Sequence, residues 1–173
     1  LAEKHDLSKL GMQCIFITMT NIPQSMIDYL AETWQCRVST HYGLTESGWG
    51  LAVDCDVCSG YHYNEIDHII EIVDPDTGAP LPYGEEGEIL LAGPTVMKEY
   101  IKHPEETANT LCKHADGLTW VYTGDLGVMD NEGFIYFKGR SKRMIITSGY
   151  NVYPAQLENI LDACDQVQMS CVI

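Results

Sequence analysis

Two neighbouring stretches carry the residue types best suited to chemistry. The first is 122–127, Tyr-Thr-Gly-Asp-Leu-Gly, in which Asp125 stands directly behind Gly124. The second runs from Gly139-Arg-Ser-Lys142 through Gly149-Tyr-Asn-Val-Tyr-Pro154 to Glu158. Between them, Asp130-Asn-Glu-Gly133 separates apolar runs at 126–129 and 134–138, which predicts a β-hairpin. A hairpin returns its two ends to one place, so Asp125 and Arg140 should be neighbours. An ionised aspartate only accepts hydrogen bonds and can take both hydroxyls of a ribose, while arginine offers a planar donor fork. A plain salt bridge would use the same two side chains; the glycines at 124 and 139 favour a ligand.

Charge points the same way. The formal net charge is −15, yet four of the ten basic residues (Lys138, Arg140, Lys142 and Arg143) fall within 138–143. Such a cluster on an acidic chain suits one small anion. The overall balance excludes a general nucleic-acid or anionic-membrane surface, which needs many distributed Lys and Arg contacts. No apolar run reaches the ~20 residues of a membrane span.

Two further stretches qualify as sites. In 41–50, His-Tyr-Gly-Leu-Thr-Glu-Ser-Gly-Trp-Gly, three glycines and two small hydroxyls make a loop whose backbone N–H groups can approach an anion. The plainer reading is a glycine-rich turn capped by Thr45 and Glu46. Cys55-x2-Cys58 with His62 four residues on has the ligand types and spacing for Zn²⁺. A fourth ligand would have to come from His41, His68, another cysteine or outside the chain; two packed thiols and a surface histidine is the alternative. Seven cysteines without a repeating framework suggest reduced thiols and a cytoplasmic location.

The elements that must position these groups can be read in order. Residues 12–19 predict a buried strand of a mostly parallel sheet. Asn21 and Pro23 open a helix with Met26, Ile27, Leu30, Ala31 and Trp34 on one buried face. Residues 36–40 predict a second strand, giving a βαβ unit whose strand ends open onto the 41–50 loop. Ile66, His68, Ile70 and Ile72 alternate with polar residues as in a half-buried strand, and turn chemistry at 74–78 and 81–87 precedes a strand at 88–92. Pro104 begins a helix with acids in its first turn. After the 126–138 hairpin come an apolar triplet at 144–146, a turn at 147–151 and a helix from Pro154 burying Leu157, Ile160, Leu161 and Cys164. A last strand is expected from residue 167. The fold class is α/β with a β-rich subregion.

With these residues in place, the chain resembles the adenylate-forming superfamily, which includes acyl- and aryl-CoA ligases, firefly luciferase and the adenylation domains of nonribosomal peptide synthetases. Tyr42-Gly-Leu-Thr-Glu46 is similar to its YGxTE motif, and Gly87-Glu-Ile-Leu-Leu-Ala-Gly93, with Val96 and Tyr100, to its GELxIxG motif. Tyr122-Thr-Gly-Asp125 is similar to its TGD motif, and the 139–158 stretch to its GRxK…GxNVxPxxIE signature. Residues 55–63 look like the phenylacetate-CoA ligase branch, and 94–158 like fatty-acyl-CoA synthetases.

The resemblance implies the end of a large N-terminal AMP-binding domain over 1–141 and the start of a small, mobile α+β C-terminal domain over 142–173, hinged at Lys142. It implies that Tyr42, beside Gly43, stacks on adenine, that Thr45 contacts the AMP phosphate and that Glu46 holds Mg²⁺. Asp125 would bind the ribose hydroxyls with Arg140 beside it, and the turn at Gly149 would line the pantetheine tunnel of coenzyme A. The implied reaction is ATP-dependent activation of a carboxylic acid to an acyl-adenylate, then transfer to CoA with release of AMP and pyrophosphate. Transfer to a carrier-protein thiol, or a non-catalytic nucleotide- or metal-binding module, are the alternatives. The family's phosphate-gripping Lys-bearing loop and its late C-terminal lysine are expected outside residues 1–173, so the chain is expected to be a piece of a longer protein and inactive alone.

Overall fold

A computed structural model describes residues 7–18, 22, 24–48, 50–55, 60–147, 150–164, 166–167 and 169–172. After a 3₁₀ turn at Leu7–Leu10 come strand β1 (Cys14–Ile17), helix α1 (Gln24–Trp34), β2 (Arg37–Tyr42), a 3₁₀ turn at Thr45–Ser47, β3 (Ala52–Asp54) and β4 (Tyr61–Tyr63). Next are β5 (Ile69–Val73), β6 (Glu86–Ala92), helix α2 (Pro104–Thr110), β7 (Leu111–Lys113), β8 (Thr119–Met129) and β9 (Ile135–Arg140). A 3₁₀ turn at Ser141–Arg143 leads to β10 (Ile145–Thr147), β11 (Tyr150–Val152) and helix α3 (Pro154–Asp162).

The expected βαβ unit is present: β1 and β2 pair in parallel, with α1 as the crossover. Strands β3 and β4 extend that sheet antiparallel, in the order β1-β2-β3-β4. Strand β1 is shorter and more exposed than its apolar sequence suggests. It lies at the sheet edge, and Phe16 is 55% exposed. The α1 stripe is half-buried at Ile27, Leu30, Ala31 and Trp34, with Met26 exposed. Asn21 and Pro23, expected to open this helix, lie outside the described residues.

The second sheet runs β5-β6-β8-β7, and β9 joins the far half of β8. Strand β6 is its centre and is buried on both faces, as the pleat sends alternate side chains to opposite sides. On one face, Val73, Leu90, Ala92 and Trp120 cluster, with Tyr122 against them. On the other, Leu91 and Val121 meet Leu51, with Tyr42, Leu44 and Tyr63 alongside. This second cluster joins the two sheets and brings the end of β2 to the middle of β8. Gly87 is needed for the close approach of β5: a Cβ there would lie 2.2 Å from the Val73 carbonyl oxygen.

Several expectations are corrected. Strand β5 begins at Ile69, because Asn64–Asp67 closes a polar turn; Ile66 there is 93% exposed. Strand β8 starts seven residues before Leu126 and runs through the Thr-Gly-Asp segment, ahead of the apolar run at 126–129 that predicted it. Helix α3 leaves Leu157, Ile160, Leu161 and Cys164 exposed; it is anchored through its first turn, where Tyr153 and Pro154 are buried. Among the described residues no strand follows residue 167, and no helix is long and apolar enough to cross a membrane.

Trp120 is 2% exposed and its indole N–H donates to Asp116 Oδ2 at 3.0 Å. Trp120→Ala should destabilise the fold by about 3–5 kcal/mol. Urea unfolding should show the midpoint falling at constant m-value; a loss below about 1 kcal/mol would contradict the assigned core.

Candidate functional site

The site is built on an irregularity in β8. Register along β6 and β8 pairs Glu88 with Leu126 but Leu90 with Tyr122. Three residues of β8, Thr123 to Asp125, therefore stand opposite Ile89 alone. Such a bulge bends the strand and re-aims side chains. Gly124 adopts φ +73°, a conformation that favours glycine. The Thr123 hydroxyl donates to the Ile89 carbonyl at 2.7 Å and accepts the Asp125 N–H at 3.1 Å. The Gly124 N–H donates to Glu88 Oε1 at 2.8 Å.

The hairpin then brings Arg140 beside Asp125, in direct Cα register. Arg140 Nε lies 2.7 Å from Asp125 Oδ1, and its guanidinium also donates to the Thr123 carbonyl at 3.1 Å. The Tyr42 hydroxyl, from the other sheet, donates to Asp125 Oδ2 at 2.6 Å. Asp125 is 6% exposed, whereas the Arg140 side chain is 57% exposed. A carboxylate so buried must be paired and hydrogen-bonded, and here both oxygens are engaged. Burial, then the Asp125 charge and the hydrogen bond to it, hold the Tyr42 phenol protonated well beyond the ordinary tyrosine range, with Arg140 opposing.

A second carboxylate lies in the 3₁₀ turn that follows Tyr42. The Glu46 side chain accepts a hydrogen bond from the Tyr100 hydroxyl, and its carbonyl accepts the Met97 N–H at 2.8 Å. Thr45, at the head of this turn, is exposed, as is Gly43. The turn ends at Gly48, at φ +80°. Burial, followed by the bond to Glu46, raises the Tyr100 phenol above its usual value.

Lys142 is exposed in the 3₁₀ turn immediately after β9. Arg143 reaches forward to Glu158 at 2.6 Å, and the same oxygen accepts the Val172 N–H at 3.0 Å. Tyr153 hydrogen-bonds Glu86, and its ring fills the space beside Gly139, where a Cβ would lie 2.6 Å from Tyr153 Cδ1. Gly149 lies outside the described residues.

Of the candidate zinc ligands, His62 Nε2 lies 3.1 Å from Cys55 Sγ across the β3–β4 pairing; Cys58 lies outside the described residues. His41 stacks on Phe16 at 5.0 Å, and His68 is bonded to Thr95 at 2.8 Å, so neither joins Cys55. Among the described residues no three metal-type ligands converge.

The residue-by-residue reading missed Glu88 and the Tyr100 hydroxyl as partners of the site. The signal for Glu88 was present: it is the lone charge in the apolar run 87–92.

A family model described as "AMP-binding enzyme" matches residues 1–101. A Rhodococcus jostii CoA ligase for a methyl-dioxo-octahydroindenyl propanoyl group is 36% identical over 98% of this chain and 31% of its own length. The structure of an anthranilate CoA ligase in complex with anthranoyl-AMP superposes with a TM-score of 0.80 at 25% identity, covering 98% of this chain and 32% of that one. ATP-bound MatB from Rhodopseudomonas palustris gives a TM-score of 0.72 at 30% identity, covering 91% and 31%. The chain thus spans about a third of the length of the relatives it matches.

Tyr42 supplies a pH test. Below about pH 10 the phenol is protonated in both folded and unfolded chains; above it only the unfolded phenol ionises, which favours unfolding. The unmodified chain should therefore lose stability relative to Tyr42→Phe by about 1.4 kcal/mol per pH unit above about pH 10. Urea unfolding of both chains across that range checks this; a constant difference would contradict it.

Proposed function

We propose that this chain, which belongs to the AMP-binding enzyme family, is the nucleotide-holding part of an ATP-dependent carboxylate–CoA ligase. The observation that carries the reading is Asp125, 6% exposed, with Tyr42 and Arg140 on its two oxygens at 2.6 and 2.7 Å. A buried acceptor pair at a bulge, flanked by an aromatic ring and a guanidinium, suits a ribose with its base against Tyr42 and its phosphate toward Arg140 and Thr45. Tyr42 would release its bond to Asp125 as the sugar hydroxyls take its place.

A carboxylate is a poor electrophile. The acid's oxygen attacks the α-phosphorus, a P–O bond to the β-phosphate breaks, and pyrophosphate leaves. The CoA thiol then attacks the acyl carbon, losing its proton as the bond to AMP breaks. The protein orients and neutralises the reactants instead of supplying covalent chemistry. Glu46 suits Mg²⁺ as a hard oxygen donor held in place by Tyr100; the ion would neutralise phosphate charge. Lys142, exposed in the 3₁₀ turn after β9, is where the following segment would pivot, and the turn at Gly149 would then meet the pantetheine arm.

The test uses the whole protein. Pyrophosphate release should depend on an added acid, and a thioester should form with CoA. Asp125→Ala should raise the KM for ATP about 100-fold, from the loss of two charge-assisted hydrogen bonds. Unchanged ATP kinetics in that variant would overturn the assignment. Acyl transfer to a holo carrier protein but not to CoA would replace the acceptor.

The Cys55–His62 contact favours a second, structural role for this region, zinc held by Cys55, Cys58 and His62. Elemental analysis should find one zinc per chain, lost in Cys55→Ser while ATP binding persists; equal metal content in both proteins would exclude it.

A further inference from the structure

We propose that Glu88 is a positioning residue for the nucleotide: its buried carboxylate clips the Gly124 turn and so fixes where Asp125 presents its oxygens. The proposal rests on the reading that Asp125 holds the ribose, and it adds a residue from a different strand to that function.

Glu88 is 9% exposed in a strand whose next four residues, Ile89, Leu90, Leu91 and Ala92, are all buried and apolar. A carboxylate there is costly unless a specific donor compensates it. The donor is the Gly124 N–H at 2.8 Å. That N–H needs such a partner because the bulge removes it from the ladder, and an amide half-buried without a partner is disfavoured. Thr123 acts on the other side of the same turn, accepting the Asp125 N–H and donating to the Ile89 carbonyl. Two side-chain clips thus bracket the peptide that carries Asp125. Without Glu88, only the Thr123 clip is left to select Gly124's φ of +73° over the other conformations open to glycine.

Acceptor geometry, not charge, is what the turn uses. Burial pushes the Glu88 carboxyl above its ordinary range, the Gly124 bond pulls it down, and the Asp125 charge pushes it up again. A glutamine oxygen can accept the same N–H without adding negative charge beside Asp125. A methionine of similar shape cannot, and an aspartate is one methylene too short to reach.

The experiment compares ATP with 2′,3′-dideoxy-ATP, which lacks both sugar hydroxyls, in the whole protein carrying Glu88→Gln, Glu88→Met or Glu88→Asp. The readouts are nucleotide affinity by calorimetry and the split between KM and kcat. The unmodified protein should prefer ATP strongly. Glu88→Met should shrink that preference about tenfold, chiefly through affinity for ATP, while dideoxy-ATP binding moves little. Glu88→Gln should keep the preference within about threefold. If Glu88→Met does not fold, Glu88→Asp carries the comparison, since it keeps a polar group there and loses only the reach. Equal weakening of both nucleotides in Glu88→Met or Glu88→Asp would show a merely structural role and overturn the proposal. So would a Glu88→Gln protein as impaired as Glu88→Met. Absence of any ATP preference in the unmodified protein would remove the Asp125–ribose reading, and this proposal with it.

Discussion

The structure depends on one break in a ladder. Strand β8 pairs with β6, β7 and β9, and at Thr123–Asp125 it carries two more residues than β6 can pair with. A regular strand would have sent Asp125 into the ladder's alternation. The bulge frees it from pairing with β6, while the hairpin keeps it in register with Arg140 on the other edge. Burying a carboxylate there is tolerable because both its oxygens and the main-chain groups of the turn are satisfied by side chains. The placement of Asp125 is downstream of that local geometry.

The second requirement is the junction between the sheets. Tyr42 and Asp125 are 83 residues apart in the chain and meet through one hydrogen bond. What makes the meeting reproducible is the apolar contact of Leu51, Leu91 and Val121, which presses the end of β2 and the loop after it against β8. Tyr100 and Met97, on the segment after β6, hold Glu46 from the same direction. A parallel unit and an antiparallel sheet, each ordinary alone, thus share a seam along which the acidic and aromatic groups gather. The segment beyond Lys142 docks by a different means: Tyr153 enters the space that Gly139 leaves open and bonds Glu86. Among the described residues, an anchor of Tyr153 and Pro154 is smaller than an interleaved core, which suits a segment proposed to pivot.

Much of this was legible in residue order. The βαβ unit, helix α2, the 130–133 hairpin and the closeness of Asp125 to Arg140 follow from period, turn chemistry and charge. Other features were not. Thr-Gly-Asp lies ahead of the apolar run that predicted the hairpin, yet pairing of Tyr122 and Leu126 with β6 on either side carries the strand through it. The apolar face of α3 read as buried because helical spacing reports a stripe, without reporting whether anything covers it. Ile66 fitted an alternating pattern, but the Asn64–Asp67 side-chain bond closed a turn there first.

The division has one physical cause. Sequence by itself determined what is local: turns, the apolar run of β6, the family motifs in their order, and the hairpin that returns Arg140 to Asp125. Only the tertiary structure decided what depends on distant partners, namely the bulge at Gly124, the use of Glu88 to satisfy it, the arrival of Tyr42, and the pairing of Cys55 with His62. A side chain's type shows what it can bond; burial and the strand across from it select which bond is made.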